Sequence, residues 1–265
     1  MKIAIIGLGW LGNPLAKELM NRGHEVCGSV SSEAKLDEMS ESSLTVFKYS
    51  TNSKDKIPTS IASSTEVLLL MVPPNKDKAS DEYGKQLVAI TKQFKSLKRV
   101  VFTSSTGIYP KQYGIYREDF EFLENEKGST LYRAEKALEN ECGDQLIITR
   151  LAGLFGPKRH PVLQLQGQEY VKNPYGIINL VHQKDVIKAI YTLLDANKSG
   201  VYNVVAPEHP YRKDYYTKLF RYYNLKPIGF EDTPWIERKI STAKLMSELD
   251  FHYDFSINDV KDCLG

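Results

Sequence analysis

The chain opens on Lys2-Ile3-Ala4-Ile5-Ile6-Gly7-Leu8-Gly9-Trp10-Leu11-Gly12. The run from Lys2 to Ile6 has the length and composition of a short buried strand, and the glycines after it punctuate the chain. Leu11, Leu15 and Leu19 then recur at helical spacing, with Pro14 tolerated in the first turn. A strand that passes through Gly-x-Gly-x-x-Gly into a helix has a definite physical use. The first glycine allows the tight turn, the second lets the backbone approach a pyrophosphate, and the third lets the helix pack close to the strand. The helix N-terminus adds N–H groups and the positive end of its dipole. The stretch therefore predicts dinucleotide binding at Gly7, Gly9, Trp10, Leu11 and Gly12.

Downstream, short β-rich runs alternate with helical patterns. Glu25–Val30, Leu44–Phe47, Val67–Val72, Arg99–Thr103 and Gln145–Thr149 read as strands, and Glu82–Phe94 and Ser129–Asn140 as helices. Ile177–Val181, Lys184–Asp195 and Val201–Val205 continue the series as strand, helix and strand. Such alternation predicts an α/β fold, a Rossmann-type doubly wound parallel sheet. Residues 157–176 and 207–265 break the pattern, the latter with a basic, tyrosine-rich helix (Tyr211–Tyr223) and an expected short terminal helix pair. The expected domains are an NAD(P)-binding core of residues 1–156 and 177–206, and a small substrate-binding lobe of 157–176 and 207–265.

The 265 residues carry a formal net charge of +2, too little to imply nucleic acid or a membrane surface as partner. Cys27, Cys142 and Cys263 lack metal-ligand spacing, so neither a disulfide framework nor a metal site is expected. The first residues form a strand and not a signal peptide, and no apolar run reaches the ~18 residues of a membrane span. The expected protein is cytoplasmic, a monomer or homodimer, with a small-molecule substrate.

Two further patterns bear on chemistry. The second strand ends in Val30-Ser31-Ser32-Glu33, without the acidic residue at the strand tip that would bond the adenosine ribose hydroxyls of NAD. Ser31 and Ser32 suit a 2′-phosphate, so NADP is the expected cofactor, with NAD as the alternative; a pair of serines that only caps a helix is the plainer reading. Farther on, Tyr132 and Lys136 stand four residues apart, on one face of a helix. An ammonium beside a phenol favours the phenolate, which suits an acid/base group. A hydroxyl such as Ser105 can hold the substrate oxygen that gains or loses the proton.

Together these residues resemble the extended short-chain dehydrogenase/reductase superfamily, the group of NAD-dependent epimerases and dehydratases. Val100–Tyr109 is similar to the family's fifth strand and catalytic serine/threonine motif, and Leu131-Tyr132-Arg133-Ala134-Glu135-Lys136 to its active-site helix. Arg150–Pro157 resembles the loop after the sixth strand, and Asn179–Val186 the segment before a late core helix. The resemblance implies Ser105, Tyr132 and Lys136 as catalytic residues, with Lys136 also bonding the nicotinamide ribose. It implies cofactor contacts at Val72, Pro73, Pro74, Thr103 and Ala152, and substrate contacts at Thr106, Gly153, Arg159 and His160. The chain departs from the family in two places. Ile6 stands where the usual Gly-x-x-Gly-x-x-Gly has its first glycine, and Met71-Val72-Pro73-Pro74-Asn75 replaces the Asn-Asn-Ala-Gly-like segment. This marks an atypical branch.

The expected function is that of an NAD(P)-dependent oxidoreductase or epimerase/dehydratase acting on a nucleotide sugar or similar small hydroxy/keto compound. A non-catalytic NADP-binding redox sensor is the alternative from another class. A β-hydroxyacid dehydrogenase is a third reading, but it requires a long all-helical second domain.

Overall fold

The structure is a computed structural model describing residues 1–39, 43–51, 55–75, 79–231, 233, 237–261 and 263. In chain order its first half comprises β1 (Lys2–Ile6), α1 (Gly12–Asn21), β2 (Glu25–Val30), α2 (Glu33–Glu38), β3 (Thr45–Lys48), α3 (Thr59–Ser64), β4 (Val67–Leu70), α4 (Glu82–Thr91) and β5 (Arg99–Ser105). There follow β6 (Gly114–Tyr116), α5 (Thr130–Cys142), β7 (Leu146–Leu151), β8 (Gly153–Phe155), α6 (Pro161–Gln164), β9 (Tyr170–Lys172) and β10 (Leu180–His182). The rest is α7 (Gln183–Asp195), β11 (Gly200–Val204), α8 (Arg212–Tyr222), β12 (Gly229–Glu231), β13 (Arg238–Ile240) and α9 (Ala243–Leu249).

Seven strands form one sheet in the order β11-β7-β5-β4-β1-β2-β3. The pairs β1–β2, β1–β4, β2–β3 and β4–β5 are parallel. The chain builds outward from β1 to β3, then returns to place β4 on the other side of β1. This reversal defines the doubly wound fold expected from the sequence, and ligand sites form at the carboxyl ends of the strands beside it. The central strand β4 is apolar throughout, as expected of a strand covered on both faces; Val67 to Leu70 are each at most 1% exposed.

The chain packs as two compact units. The first is Met1–Ile108, Phe122–Thr149 and Ile190–Val201. Its core joins Ala4, Ile6, Leu68, Leu70, Val100 and Phe102 of the sheet to Leu87, Ile90, Ala134 and Leu138 of α4 and α5. The second is Tyr109–Glu121, Arg150–Ala189 and Tyr202–Gly265. Its core gathers Phe155, Val162, Val171 and Leu180 around Tyr215, Tyr216, Leu219 and Phe220 of α8. Tyr215 and Tyr216 are thus core residues, while Tyr211 and Tyr222 on the same segment are exposed.

Two expectations are corrected. The strand expected at Ile177–Val181 begins only at Leu180, because the Ile178 N–H is drawn to the Pro210 carbonyl at 2.9 Å. Of the terminal helix pair, the described residues form one helix, α9, ended by Asp250 in the left-handed conformation. After it, the Asp254 and Phe255 N–H groups donate to the buried Asp185 carboxylate at 2.9 and 3.2 Å, so a side chain accepts where helical carbonyls would. Among the described residues no helix is long and apolar enough to cross a membrane.

Candidate active site

The glycine turn is built as its sequence requires. Gly7 has φ +112°, and an ideal Cβ on it would lie 3.1 Å from the Met71 backbone. Its N–H donates to the Ser29 hydroxyl at 3.2 Å and the Leu8 N–H to the Ser29 carbonyl at 2.8 Å, so β2 holds the turn against β1. A Cβ on Gly12 would sit 2.3 Å from the Gly7 carbonyl oxygen, the close approach that only glycine permits. A Cβ on Gly9 would meet nothing within 4 Å. The protein therefore does not need glycine at position 9 for its own packing; the space there suits an approaching ligand. No side chain caps the first turn of α1, which leaves its N-terminal end for an anion. Leu11 is buried and Trp10 half-buried beside it.

The neighbouring strands end at the same edge. Met71 donates its N–H to the Ile6 carbonyl at 2.9 Å, which draws Met71, Val72, Pro73 and Pro74 alongside the glycine turn. The Tyr83 hydroxyl of α4 donates to the Val72 carbonyl at 2.6 Å and fixes that segment from behind. Burial raises the Tyr83 phenol well above its ordinary range. On β5, the Thr103 hydroxyl bonds the Leu70 carbonyl at 3.2 Å, and Ser105, half-buried, ends the strand. The Gly107 N–H donates to the Ser105 hydroxyl at 3.1 Å. Thr106 is 5% exposed, in the 3-10 turn after Ser105.

α5 brings Tyr132 and Lys136 to this edge. Ser129 caps the helix by accepting from the Tyr132 N–H at 3.2 Å. An ideal Cβ on Gly107 would be 3.3 Å from the Ser105 hydroxyl and 4.0 Å from Leu131, the residue before Tyr132. The Phe122 ring meets Tyr132 edge-on at 5.1 Å. The Lys136 ammonium lies 5.8 Å from the centre of the Tyr132 ring and pairs with the Glu139 carboxylate at 2.6 Å. Between these two, Glu135 is 2% exposed and accepts from the Ser104 hydroxyl at 2.5 Å, which pins α5 to β5.

Ala152, Gly153, Arg159 and His160 belong to the second unit. Ala152 is buried, its N–H bonded to the Val204 carbonyl at 3.1 Å. Gly153 is explained by packing, since a Cβ there would lie 2.7 Å from the Leu180 side chain. Arg159 is exposed, in a turn closed by paired backbone bonds with Gly156. His160 is corrected: it is 2% exposed and both ring nitrogens are committed. Nδ1 accepts from the Val162 N–H at 3.1 Å, capping α6, so Nε2 carries the proton and donates to the Tyr215 hydroxyl at 3.0 Å. Tyr215 in turn donates to the Ile257 carbonyl at 2.7 Å. Burial lowers the His160 pKa to about 4. No donor remains for a substrate.

At the tip of β2, Ser31 is exposed and Ser32 occupies the N-cap position of α2 without a side-chain cap bond, against the plainer reading of the two serines. Glu33, the next residue, pairs with Lys48 of β3 at 3.3 Å. Sequence reading missed Lys48, Tyr83, Ser29 and the Ser104–Glu135 bond. Glu135 had one available signal, a carboxylate spaced with Ala134 and Leu138 on the buried side of α5.

Residues 2–110 match the NAD binding domain of 6-phosphogluconate dehydrogenase. Over 264 residues the chain is 32% identical to protein YeeZ of Escherichia coli strain K12, covering 96% of each. The chain belongs to the YeeZ family. Among solved structures, this YeeZ-family chain is similar to UDP-glucuronic acid 4-epimerase from Bacillus cereus in complex with NAD, at 16% identity and a TM-score of 0.77 over 100% of this chain and 95% of that one. It is also similar to a short-chain dehydrogenase/reductase superfamily protein from Agrobacterium tumefaciens with bound NAD, at 15% identity and a TM-score of 0.76 over 97% and 93%. Its fold is that of the NAD-dependent epimerase/dehydratase and short-chain dehydrogenase/reductase proteins. The second unit contains β8, β9, β10, β12 and β13, so the all-helical second domain of the hydroxyacid dehydrogenase reading is not there.

Proposed function

We propose that this protein is an NADP-dependent oxidoreductase or epimerase/dehydratase whose substrate is a nucleotide sugar or similar small hydroxy/keto compound. The observation that carries the reading is the glycine turn with open space over Gly9, built into the same unit as Ser105, Tyr132 and Lys136. Gly7, Gly9 and Gly12 with the first turn of α1 would hold the pyrophosphate, and Met71–Pro74 would run beneath the riboses. When bound, the nicotinamide accepts or supplies hydride. Tyr132 gives or takes the proton at the substrate oxygen, and Ser105, beside Thr106, holds that oxygen by hydrogen bonding. Lys136 exchanges Glu139 for the tyrosine and the nicotinamide ribose. The fold neighbour named for UDP-glucuronic acid epimerisation supports the substrate class.

The test joins titration of the purified protein with NADPH and NADH to a turnover screen on nucleotide sugars and small hydroxy/keto compounds, read by nicotinamide absorbance and by NMR of products. With a turned-over substrate in hand, Tyr132→Phe should slow turnover by ~10²- to 10⁴-fold, the usual worth of a positioned acid/base. Its cofactor affinity should stay unchanged, since only the hydroxyl is lost. Wild-type turnover in Tyr132→Phe sinks the catalytic reading. The pairing of Lys136 with Glu139 favours the sensor alternative, in which NADPH binds tightly and no compound is turned over.

A further inference from the structure

We infer that Lys48, at the end of β3, selects the 2′-phosphorylated nucleotide by serving as counter-cation to the 2′-phosphate, in exchange for Glu33. The inference rests on the proposed nucleotide site and deepens it. Lys48 pairs in register with Val30, the last residue of β2, and the Tyr49 N–H bonds the Val30 carbonyl at 2.9 Å. The ends of β2 and β3 are thereby locked side by side, with Ser31 and Ser32 leaving directly from them. Glu33 is the first residue of α2, and the Lys48 ammonium reaches its carboxylate at 3.3 Å. That pair holds a cation at the residue that directly follows Ser31 and Ser32 in the chain.

The same pair settles the sign of the local charge. Alone, Glu33 would repel a phosphate and favour a ribose hydroxyl. Compensated by Lys48, it does neither strongly. The two side chains are 67% and 39% exposed, and an exposed pair of this kind is weakly held. A phosphate near neutral pH carries up to two charges and three acceptor oxygens, so it outcompetes a single carboxylate for the ammonium. A ribose hydroxyl offers no such gain.

Titration of wild type, Lys48→Ala, Glu33→Gln and Lys35→Ala with NADPH and NADH at low ionic strength tests this. Lys48→Ala should lower NADPH affinity about tenfold while NADH affinity moves less than twofold. Glu33→Gln should raise NADPH affinity a few-fold, and Lys35→Ala, on the exposed side of α2, should alter neither. Added salt should erode the NADPH preference of wild type but not that of Lys48→Ala. Circular dichroism confirms that each exposed-site variant is folded. An NADPH preference as large in Lys48→Ala as in wild type, or one lost in Lys35→Ala instead, overturns the assignment to Lys48 and leaves the NADP reading standing. A wild type that favours NADH, or binds neither nucleotide, overturns both.

Discussion

Gly9 and Gly12 are the same residue type three positions apart, yet the fold uses them differently. A Cβ on Gly12 collides with the Gly7 carbonyl at 2.3 Å, whereas one on Gly9 touches no protein atom within 4 Å. Gly12→Val should therefore destabilise the protein by at least ~1–3 kcal/mol, the range of core overpacking. Gly9→Val should keep the wild-type melting temperature and lose NADPH binding. Thermal denaturation followed by fluorescence titration separates the two, and wild-type affinity in a folded Gly9→Val would show the turn to be structural only. The glycine triad was legible because its demands are local: a strand, a turn and a helix start within eleven residues. So were the different loads on its members; the packing of Met71 and Val72 on Gly7 was not, because they lie more than sixty positions away.

At the scale of the element, α5 carries the proposed catalytic pair, Tyr132 and Lys136. The spacing of Tyr132 and Lys136 follows from the helical repeat and needs no tertiary knowledge. The height of that helix against the sheet is set elsewhere. Ser104 fastens Glu135 at 2.5 Å, and Gly84 of α4 lets α5 approach until an ideal Cβ would lie 3.1 Å from the Ala137 Cβ and 3.2 Å from the Arg133 carbonyl oxygen. Gly84→Val should push α5 away, cost ~1–3 kcal/mol of stability, and lower turnover more than NADPH affinity. Kinetics beside binding on the folded variant checks this; equal losses in both would mean that α5 position does not control the proton-transfer residues. Ser104 and Glu135 are unremarkable as letters. Only the packing of α5 on β5 makes them partners.

At the scale of the whole molecule, the buried titratable groups govern the response to acid. His160 has a folded pKa of about 4, well below the ordinary 6.5, because burial disfavours the imidazolium. A depressed pKa means that the unfolded chain binds the proton first. The stability His160 contributes is fully present above pH 6.5 and is lost as pH falls toward 4, at roughly 1.4 kcal/mol per pH unit. Asp185 works in the opposite sense. Burial raises it to about 6, so as pH falls toward its ordinary value the folded state takes up the proton first and is stabilised. In denaturant unfolding between pH 7.5 and pH 4.5 the two contributions oppose each other, and His160→Asn, which retains a capping side chain for α6, should gain stability relative to wild type as pH falls. An unchanged slope in that variant would assign the acid sensitivity to another group.

Read alone, the sequence determined the α/β alternation, the glycine turn and the helix that carries Tyr132 and Lys136, because each rests on periodicity or spacing within one element and its neighbour. It also placed a tyrosine-rich helix at Tyr211–Tyr223, where α8 runs from Arg212 to Tyr222. Tertiary structure alone decided that His160 caps α6 and bonds Tyr215, that Asp185 holds the backbone after α9, and that Lys48 faces Glu33 across adjacent strand ends. Apart from the local cap, each of these joins residues of different elements, at least 15 positions apart. Local propensity carries no record of such a partner, and burial or charge between them appears only once the sheet order brings them together.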